Sequence, residues 1–302
     1  MTHNDNSPNN IYQESVFSNG MYEFKGLVQS AESSHSRDST QPHDDIVLCL
    51  HGWLDNAASF IPLFPHLTHH NVIAIDLIGH GYSPHRSEDA YYHFFDWVDD
   101  IFRLINAQSW KRIHIVGHSM GGMIACGLAA FLGQRIASIT LLDVLGFVCC
   151  DAENTTKQLQ KGLLSRQAVS SQKRCLYQSI EQAIRVRMHM NDLTQNSAAL
   201  LVERGMKNTV NGYVWRADPR LNYISPYRLT HPQAIQLLND IQCPVQLLYA
   251  DKGYLSDGKT VTQFIDSIKK SNVVKFSGKH HFHMDQAEKT AMYINNFIKS
   301  TL

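Results

Sequence analysis

The five residues Gly117-His118-Ser119-Met120-Gly121 say more about the fold of this chain than any other stretch. A short apolar run, residues 113–116, precedes them, and a stretch of small apolar residues, 122–130, follows them. A serine with glycine two positions before and two after, between a strand and a helix, is typical of a nucleophile held on a sharp turn. Side chains at positions 117 and 121 would collide with the neighbouring strand and helix, which explains the glycines. The motif therefore predicts Ser119 as a nucleophile at the end of a strand.

Apolar runs recur along the chain with helical segments between them. Several are continuous rather than alternating, which is typical of strands covered on both faces. This alternation of strands and helices predicts an α/β fold with a mostly parallel sheet and helices on both faces, whose chemistry lies at the carboxyl ends of the strands. A hairpin is predicted over residues 14–29, around the turn signal Asn19-Gly20. The other candidate strands are residues 46–50, 72–75, 113–116, 139–142, 245–249 and 273–276.

The alternation breaks between residues 148 and 240, which are more polar and contain helical-looking segments but no clear strand. We expect 148–240 to be a helical cap inserted after the sixth strand. Such an insertion would lie over the active site, because the carboxyl end of that strand faces it. The helical segments are residues 155–167, 179–190 and 196–204.

The rest of the chain divides into a core and two polar stretches. Residues 14–147 and 241–302 are predicted to form the sheet and its covering helices. Residues 1–13 and 30–45 are polar and are predicted to be mobile.

Composition excludes several classes of function. The 302 residues include 27 basic and 27 acidic side chains, so the chain has no electrostatic footprint for nucleic acid or an anionic membrane. No apolar run approaches the ~20 residues of a transmembrane segment, and the N-terminal stretch lacks the apolar core of a signal peptide. The six cysteines lack zinc-site spacing. We therefore expect a cytoplasmic protein that acts on a small molecule without a metal or other cofactor.

Five stretches together resemble the serine hydrolase-like proteins of the α/β-hydrolase superfamily, and the resemblance runs from about residue 14 to 299. It implies the α/β-hydrolase fold. A cap stretch, GYVWRADPRL (212–221) followed by Ser225-Pro226, adds to the match. The five stretches are HGWLDNAASFIPL (51–63), DLIGHGYS (76–83), GHSMGG (117–122), LLDVLGF (141–147) and HHFHMDQ (280–286).

The resemblance implies a histidine base in the loop after the last strand, because a serine hydroxyl needs a neighbouring base to remove its proton. That loop contains His280, His281 and His283. His280 is favoured because it follows a strand and then Gly-x, the usual position of the base in this superfamily. His281 and His283 remain alternatives. A His-x-x-His pair can bind metal, but no cluster of carboxylates or cysteines accompanies it, so no metal site is predicted.

The third member of the triad must orient the histidine and stabilise its imidazolium. In this superfamily it usually ends the seventh strand, but here Gly253 stands at that position. Asp143, at the end of the sixth strand, is the alternative position that several dehalogenase-like members use, and we favour it. Asp251 is the second candidate and Asp257 a distant third.

The resemblance also implies the donors that hold the developing negative charge. One is the backbone N–H of Met120, directly after the nucleophile. The other is the N–H of Trp53, which follows His51-Gly52 at the end of the third strand. His118, Leu54 and Trp215 are the candidate substrate-binding residues. For Trp215, packing within the cap remains the competing interpretation.

A serine nucleophile favours acyl transfer, whereas the epoxide hydrolases and haloalkane dehalogenases of the superfamily use aspartate at this position. The resemblance therefore implies a serine hydrolase that cleaves a carboxylic ester or a related acyl bond through a Ser-His-Asp triad. Two alternatives remain open. One is different chemistry on the same triad, such as C–C hydrolysis or perhydrolysis. The other is a non-catalytic ligand-binding protein, which the glycine at 253 would favour.

Overall fold

An eight-stranded sheet forms the centre of the protein in a computed structural model, which describes residues 11–30, 45–67, 71–170, 175–191 and 193–301. In chain order the strands are β1 (Gln13–Ser18), β2 (Glu23–Gln29), β3 (Asp45–Leu50), β4 (Asn71–Ile75), β5 (Arg112–His118), β6 (Ile136–Leu142), β7 (Met206–Thr209), β8 (Gly212–Trp215), β9 (Val245–Lys252) and β10 (Ser271–Lys279). The central sheet has the order β1-β2-β4-β3-β5-β6-β9-β10, and β7 pairs with β8 in a separate hairpin.

The central sheet is mostly parallel, as predicted. Strands β4, β3, β5, β6, β9 and β10 are parallel to their neighbours, while β1 and β2 form an antiparallel hairpin whose second strand is antiparallel to β4. Every strand predicted from an apolar run is present. The carboxyl ends of the parallel strands therefore share one edge, where Asp143 and Ser119 follow directly on β6 and β5.

Helices cover both faces of the sheet. In chain order they are α1 (Phe94–Ala107), α2 (Met120–Leu132), α3 (Thr155–Ser170), α4 (Ile180–Asn191), α5 (Gln195–Gly205), α6 (His231–Asn239), α7 (Lys259–Phe264), α8 (Phe282–Asp285) and α9 (Ala287–Ser300). Side chains of α1, α2 and α6 share one apolar cluster, and those of α9 share another with a 3-10 segment, Ala57–His66.

Alternation along β3 explains why its apolar run is continuous. Leu48 and Leu50 join the cluster on one face of the sheet, while Val47 and Cys49 join the cluster on the other face. All four side chains are fully buried. A strand covered on both faces has no solvent-facing side, so it carries no polar alternation.

The segment between β6 and β9 differs from the predicted cap in two respects. It contains the predicted helices α3, α4 and α5, but also the hairpin β7–β8, which was not predicted. In addition, α6 lies within the range 148–240 but packs on α2. Its Ala234 and Leu238 belong to the apolar cluster shared with α1 and α2, which we call the main apolar cluster. The range predicted for the cap, 148–240, therefore includes one helix, α6, that covers the sheet.

The two stretches predicted to be mobile, 1–13 and 30–45, lie almost entirely outside the described residues. None of the helices in the described ranges combines the length and the apolar character needed to cross a membrane.

Candidate active site

Ser119 lies on the sharp turn between β5 and α2, with φ +50° and ψ −118°. Few residues with a side chain adopt this conformation, because it is strained. The neighbouring backbone leaves no room for a side chain at either glycine of the turn. A Cβ at Gly117 would lie 2.5 Å from Cα of Gly122, and a Cβ at Gly121 would lie 2.0 Å from the carbonyl oxygen of Leu50. The two glycines therefore allow the turn to pass between the sheet and α2, as the motif predicts.

His280 is hydrogen-bonded to Asp143. Oδ2 of Asp143 lies 2.6 Å from Nδ1 of His280, and Oδ1 accepts the N–H of Ala250 at 3.0 Å. Oδ2 also accepts the N–H of Tyr254. Burial alone would raise the pKa of the Asp143 carboxyl, but these hydrogen bonds outweigh it and hold the pKa below its usual value. An ionised carboxylate at Nδ1 keeps the proton there and leaves Nε2 of His280 able to accept one.

The other candidates for the acid and the base have different partners. Asp251 accepts the N–H of Gly278 at 2.9 Å and so supports the backbone before the histidines. Asp257 is exposed and accepts the N–H of Lys259. Asp143 thus contacts Nδ1 of His280, whereas Asp251 and Asp257, the alternative candidates for the acid, have other partners.

Two further histidines lie beside His280 in the histidine loop, which we define as residues 279–283. Nε2 of His281 lies 3.1 Å from Oδ2 of Asp55, and Nε2 of His283 lies 2.8 Å from Oγ of Ser59. Both side chains are buried. His280 is the member of this loop whose imidazole is joined to a strand-end aspartate.

The loop after β3 passes close to the nucleophile. A Cβ at Gly52 would lie 3.2 Å from Cβ of Ser119 and 3.0 Å from Oδ2 of Asp55, so a side chain at this position would be crowded. Trp53 follows, with its ring half exposed and its Nε1–H donated to the carbonyl of Leu221 at 3.1 Å. The loop thus brings the backbone of Trp53 to the side of Ser119, while Met120 begins α2, whose N-terminus favours negative charge.

Three of the four non-glycine residues with positive φ in the described ranges lie at this edge of the sheet. They are Leu54 (+61°), Ser119 (+50°) and Asp143 (+52°), which follow β3, β5 and β6; the fourth is Ser109. Backbone strain of this kind tends to concentrate at functional sites. The glycine motif predicts the sharp turn at Ser119, whereas nothing in the sequence indicates a positive φ at Leu54.

The residues predicted to bind substrate have other contacts. His118 is fully buried beneath the histidine loop, and its Nε2–H donates to the carbonyl of His280 at 3.1 Å, so its ring does not face a substrate. Trp215 packs in the cap, donating to the hydroxyl of Tyr177 at 3.3 Å. Leu54 packs against the main apolar cluster. These contacts do not support the prediction that His118 binds substrate, because the chain at the end of β5 turns its side chain inward.

Sequence reasoning missed a buried polar cluster below the histidine loop. Its centre is Asp55, whose Oδ1 pairs with the guanidinium of Arg187 on α4 and whose Oδ2 faces His281 and His118. Burial, and after it the neighbouring His280, lower the pKa of His118 to about 3. His118 is therefore a neutral imidazole at neutral pH. Asp55 lies in the quoted stretch 51–63, but nothing in the sequence indicates that Arg187 reaches it.

Asp55, His118 and His281 are also the set in the described part of the chain that offers ligand atoms for a metal ion, all within 4.8 Å of one another. Two imidazoles and a carboxylate are a suitable donor set for zinc. However, the guanidinium of Arg187 already neutralises this carboxylate and lies next to any ion that would enter. The cluster therefore has its charge balanced without a metal.

Comparisons with known proteins show the family to which this chain belongs. The family described as alpha/beta hydrolase fold matches residues 45–287. The chain is 30% identical to a serine hydrolase-like protein from Danio rerio over 85% of this chain and 82% of that protein, and 29% identical to human serine hydrolase-like protein 2 over 84% and 87%. A crystal structure of a hypothetical protein from Pseudomonas aeruginosa is similar with a TM-score of 0.85 and 30% identity, covering 95% of this chain and 98% of that one.

Proposed function

Because this chain belongs to the α/β-hydrolase fold family, we propose that it is a serine hydrolase that cleaves a carboxylic ester or a related acyl bond through Ser119, His280 and Asp143. The substrate is a small molecule with a reactive acyl carbon. No cofactor is required, because the three side chains and two backbone amides supply the proton transfers and the charge stabilisation.

The reaction has two halves. Oγ of Ser119 attacks the acyl carbon while Nε2 of His280 takes the serine proton, and the N–H groups of Met120 and Trp53 hold the negative charge on the acyl oxygen. His280 then gives the proton to the leaving alcohol, and the acyl group stays on Ser119. Water, deprotonated by His280, attacks this ester and releases the acid, which restores the serine hydroxyl.

The observation that carries the proposal is the 2.6 Å hydrogen bond between Nδ1 of His280 and the buried carboxylate of Asp143. It supports a base whose Nε2 lone pair is available and whose protonated form is stabilised. It also weakens the case for a non-catalytic protein, because that case rested on the glycine at 253. C–C hydrolysis and perhydrolysis would use the same triad and differ from ester hydrolysis in the substrate.

Labelling with a fluorophosphonate probe tests the proposal, because the probe modifies a serine only when a base activates it. We expect the wild-type protein to be labelled at Ser119 and to hydrolyse short p-nitrophenyl esters. Ser119→Ala is expected to lose labelling and at least about 10⁴-fold in turnover, and His280→Ala to match it. Tm of Ser119→Ala is expected to change little, since the hydroxyl contributes to chemistry rather than packing. An unlabelled wild-type protein, or substantial esterase activity in Ser119→Ala, would contradict the proposal.

A further inference from the structure

The buried carboxylate of Asp55 joins three parts of the molecule. Its Oδ1 pairs with Arg187 from helix α4 of the cap. Its Oδ2 lies 3.1 Å from Nε2 of His281 in the histidine loop and 3.4 Å from Nδ1 of His118 at the end of β5. Arg187 and Asp55 side chains are only 9% and 2% exposed, so water does not screen the pair.

Two of these partners hold the backbone on either side of the His280 carbonyl. A carbonyl can only accept, so Nε2 of His118 carries the proton that it donates to this oxygen at 3.1 Å. The rings of His118 and His280 also lie against each other, with centroids 4.6 Å apart. His281 is the next residue along the chain. His118 and His281 thus hold the backbone at His280. Of the two, His281 is joined to Asp55 by a hydrogen bond, while His118 faces Asp55 with its unprotonated Nδ1.

We propose that the Arg187–Asp55 ion pair is a positioning device through which the cap holds the histidine loop in its catalytic arrangement. The inference rests on the proposed function, since His280 must be the base for its position to matter. Arg187 and Asp55 are positioning residues, because neither side chain is placed at the reacting atoms.

The positive charge of Arg187 compensates the buried carboxylate of Asp55 in a way that the other contacts of Asp55 cannot replace. Burial would raise the pKa of the Asp55 carboxyl, but its contacts with His281 and Arg187 hold the pKa well below its usual value. His118 itself is neutral. Without the guanidinium, the carboxylate would be a buried charge without full compensation, which a protein relieves by taking up a proton or admitting water. Either change alters the contacts of His118 and His281 with Oδ2.

A second arginine of the cap makes a similar ion pair away from the histidine loop. Arg204 on α5 donates from Nε to both oxygens of the fully buried Asp76, at 3.0 Å each, and also pairs with Glu14. The backbone groups that Asp76 accepts from are the N–H groups of Ala57 and Tyr82. Arg204 therefore anchors the cap as Arg187 does, but its carboxylate partner does not hold residue 280.

This pairing provides a matched experiment on the full chain. Arg187→Gln and Arg204→Gln each remove one buried charge and leave a shorter, polar side chain, so the two changes are matched to each other. For each variant we would measure Tm, kcat and KM for a p-nitrophenyl ester, and the rate constant for fluorophosphonate labelling of Ser119. Both changes should lower Tm. Only Arg187→Gln should lower kcat and the labelling rate, by about 10²-fold, the usual effect of a misplacement near 1 Å. KM should stay within about threefold, and Arg187→Lys should recover part of the rate.

The outcomes separate this inference from the proposed function. A wild-type protein that is not labelled contradicts the function itself. A labelled wild type with a normal labelling rate in Arg187→Gln overturns the positioning role and leaves the function standing, as does an equal loss of rate in Arg204→Gln. If Arg187→Gln does not fold, Asp55→Asn decides, since it keeps the shape of the side chain but removes the charge that pairs with Arg187. We expect the same loss of labelling rate, and an unchanged rate overturns the inference.

Discussion

A Cβ at position 253 would lie 2.3 Å from Oδ2 of Asp143, so the missing side chain of Gly253 and the carboxylate of Asp143 occupy the same space. Gly253 stands where the sequence pattern of the superfamily leads one to expect the acid. The residue that seems to be missing therefore makes room for the aspartate from the neighbouring strand. The two positions form a matched pair, and a side chain at 253 is incompatible with Asp143 in its observed place.

Gly253→Ala is therefore expected to displace Asp143 from His280. We predict a loss of about 10²-fold or more in kcat, because small misplacements in a triad are costly, together with a lower Tm. Gly127→Ala is the control, since a Cβ there meets only the Val98 side chain at 3.2 Å or more and alanine favours the helix. Steady-state kinetics on both variants test this. A fully active Gly253→Ala would show that the Asp143 contact does not matter.

Asp143→Asn is expected to leave the fold intact while favouring the wrong tautomer of His280, at a cost of roughly 10⁴-fold in turnover by analogy with the serine protease triad. Asp251→Asn should cost far less, because Asp251 contacts the N–H of Gly278 and not the imidazole. The turnover number of each variant is corrected for the fraction of protein that is folded at the assay temperature. The comparison then decides whether Asp143 or Asp251 is the acid. The assignment fails if Asp251→Asn is the more damaging change.

Acid should begin to destabilise the protein near pH 6.5, because several of its buried histidines resist protonation. Burial lowers the pKa of His51, His80, His118 and His283, to about 3 for His80 and His118. An unfolded histidine binds a proton below about pH 6.5, whereas these folded ones do not. Stability is therefore lost as pH falls from about 6.5 towards 3, by up to ~1.4 kcal/mol per pH unit for each residue.

Urea unfolding at pH 7, 6 and 5 measures how steeply the free energy of unfolding falls as the pH is lowered. His80→Gln should reduce this slope by up to ~1.4 kcal/mol per pH unit, the contribution of one proton. The depressed pKa of Asp143 acts in a lower window, since its stabilisation is present above the unfolded value and is lost only as pH falls through the folded value. A slope in His80→Gln equal to the wild-type slope would contradict the prediction.

Trp215→Ala is expected to reduce activity on all esters alike, in parallel with a drop in Tm. The indole packs against the Tyr177 ring, and a Cβ at Gly205 would meet it at 2.8 Å, so its contacts are those of a cap core. Kinetics on esters with short and long acyl chains provide the test. A change in chain-length preference at unchanged Tm would instead support the alternative in which Trp215 lines the substrate site.

The sheet was predictable because burial on both faces makes its strands continuous apolar runs, and the turn at Ser119 because only glycine fits beside it. The hairpin β7–β8 was missed since each strand has only four residues and the first, Met206–Thr209, is mostly polar, although Asn211-Gly212 is a known turn signal. The Arg187–Asp55 pair was beyond sequence reasoning for another reason. It joins residues 132 positions apart, and an arginine on a polar helix normally indicates a solvated surface.

The positive φ angles of Leu54, Ser119 and Asp143 set a limit on how this protein can be improved by laboratory evolution. Each such residue costs roughly 1–3 kcal/mol of backbone strain, which glycine or asparagine at the same position would relieve in part. A screen that rewards heat resistance alone would therefore enrich changes at the nucleophile, at the acid and in the loop after β3. Thermostable variants selected in this way should be inactive unless turnover is selected in every round.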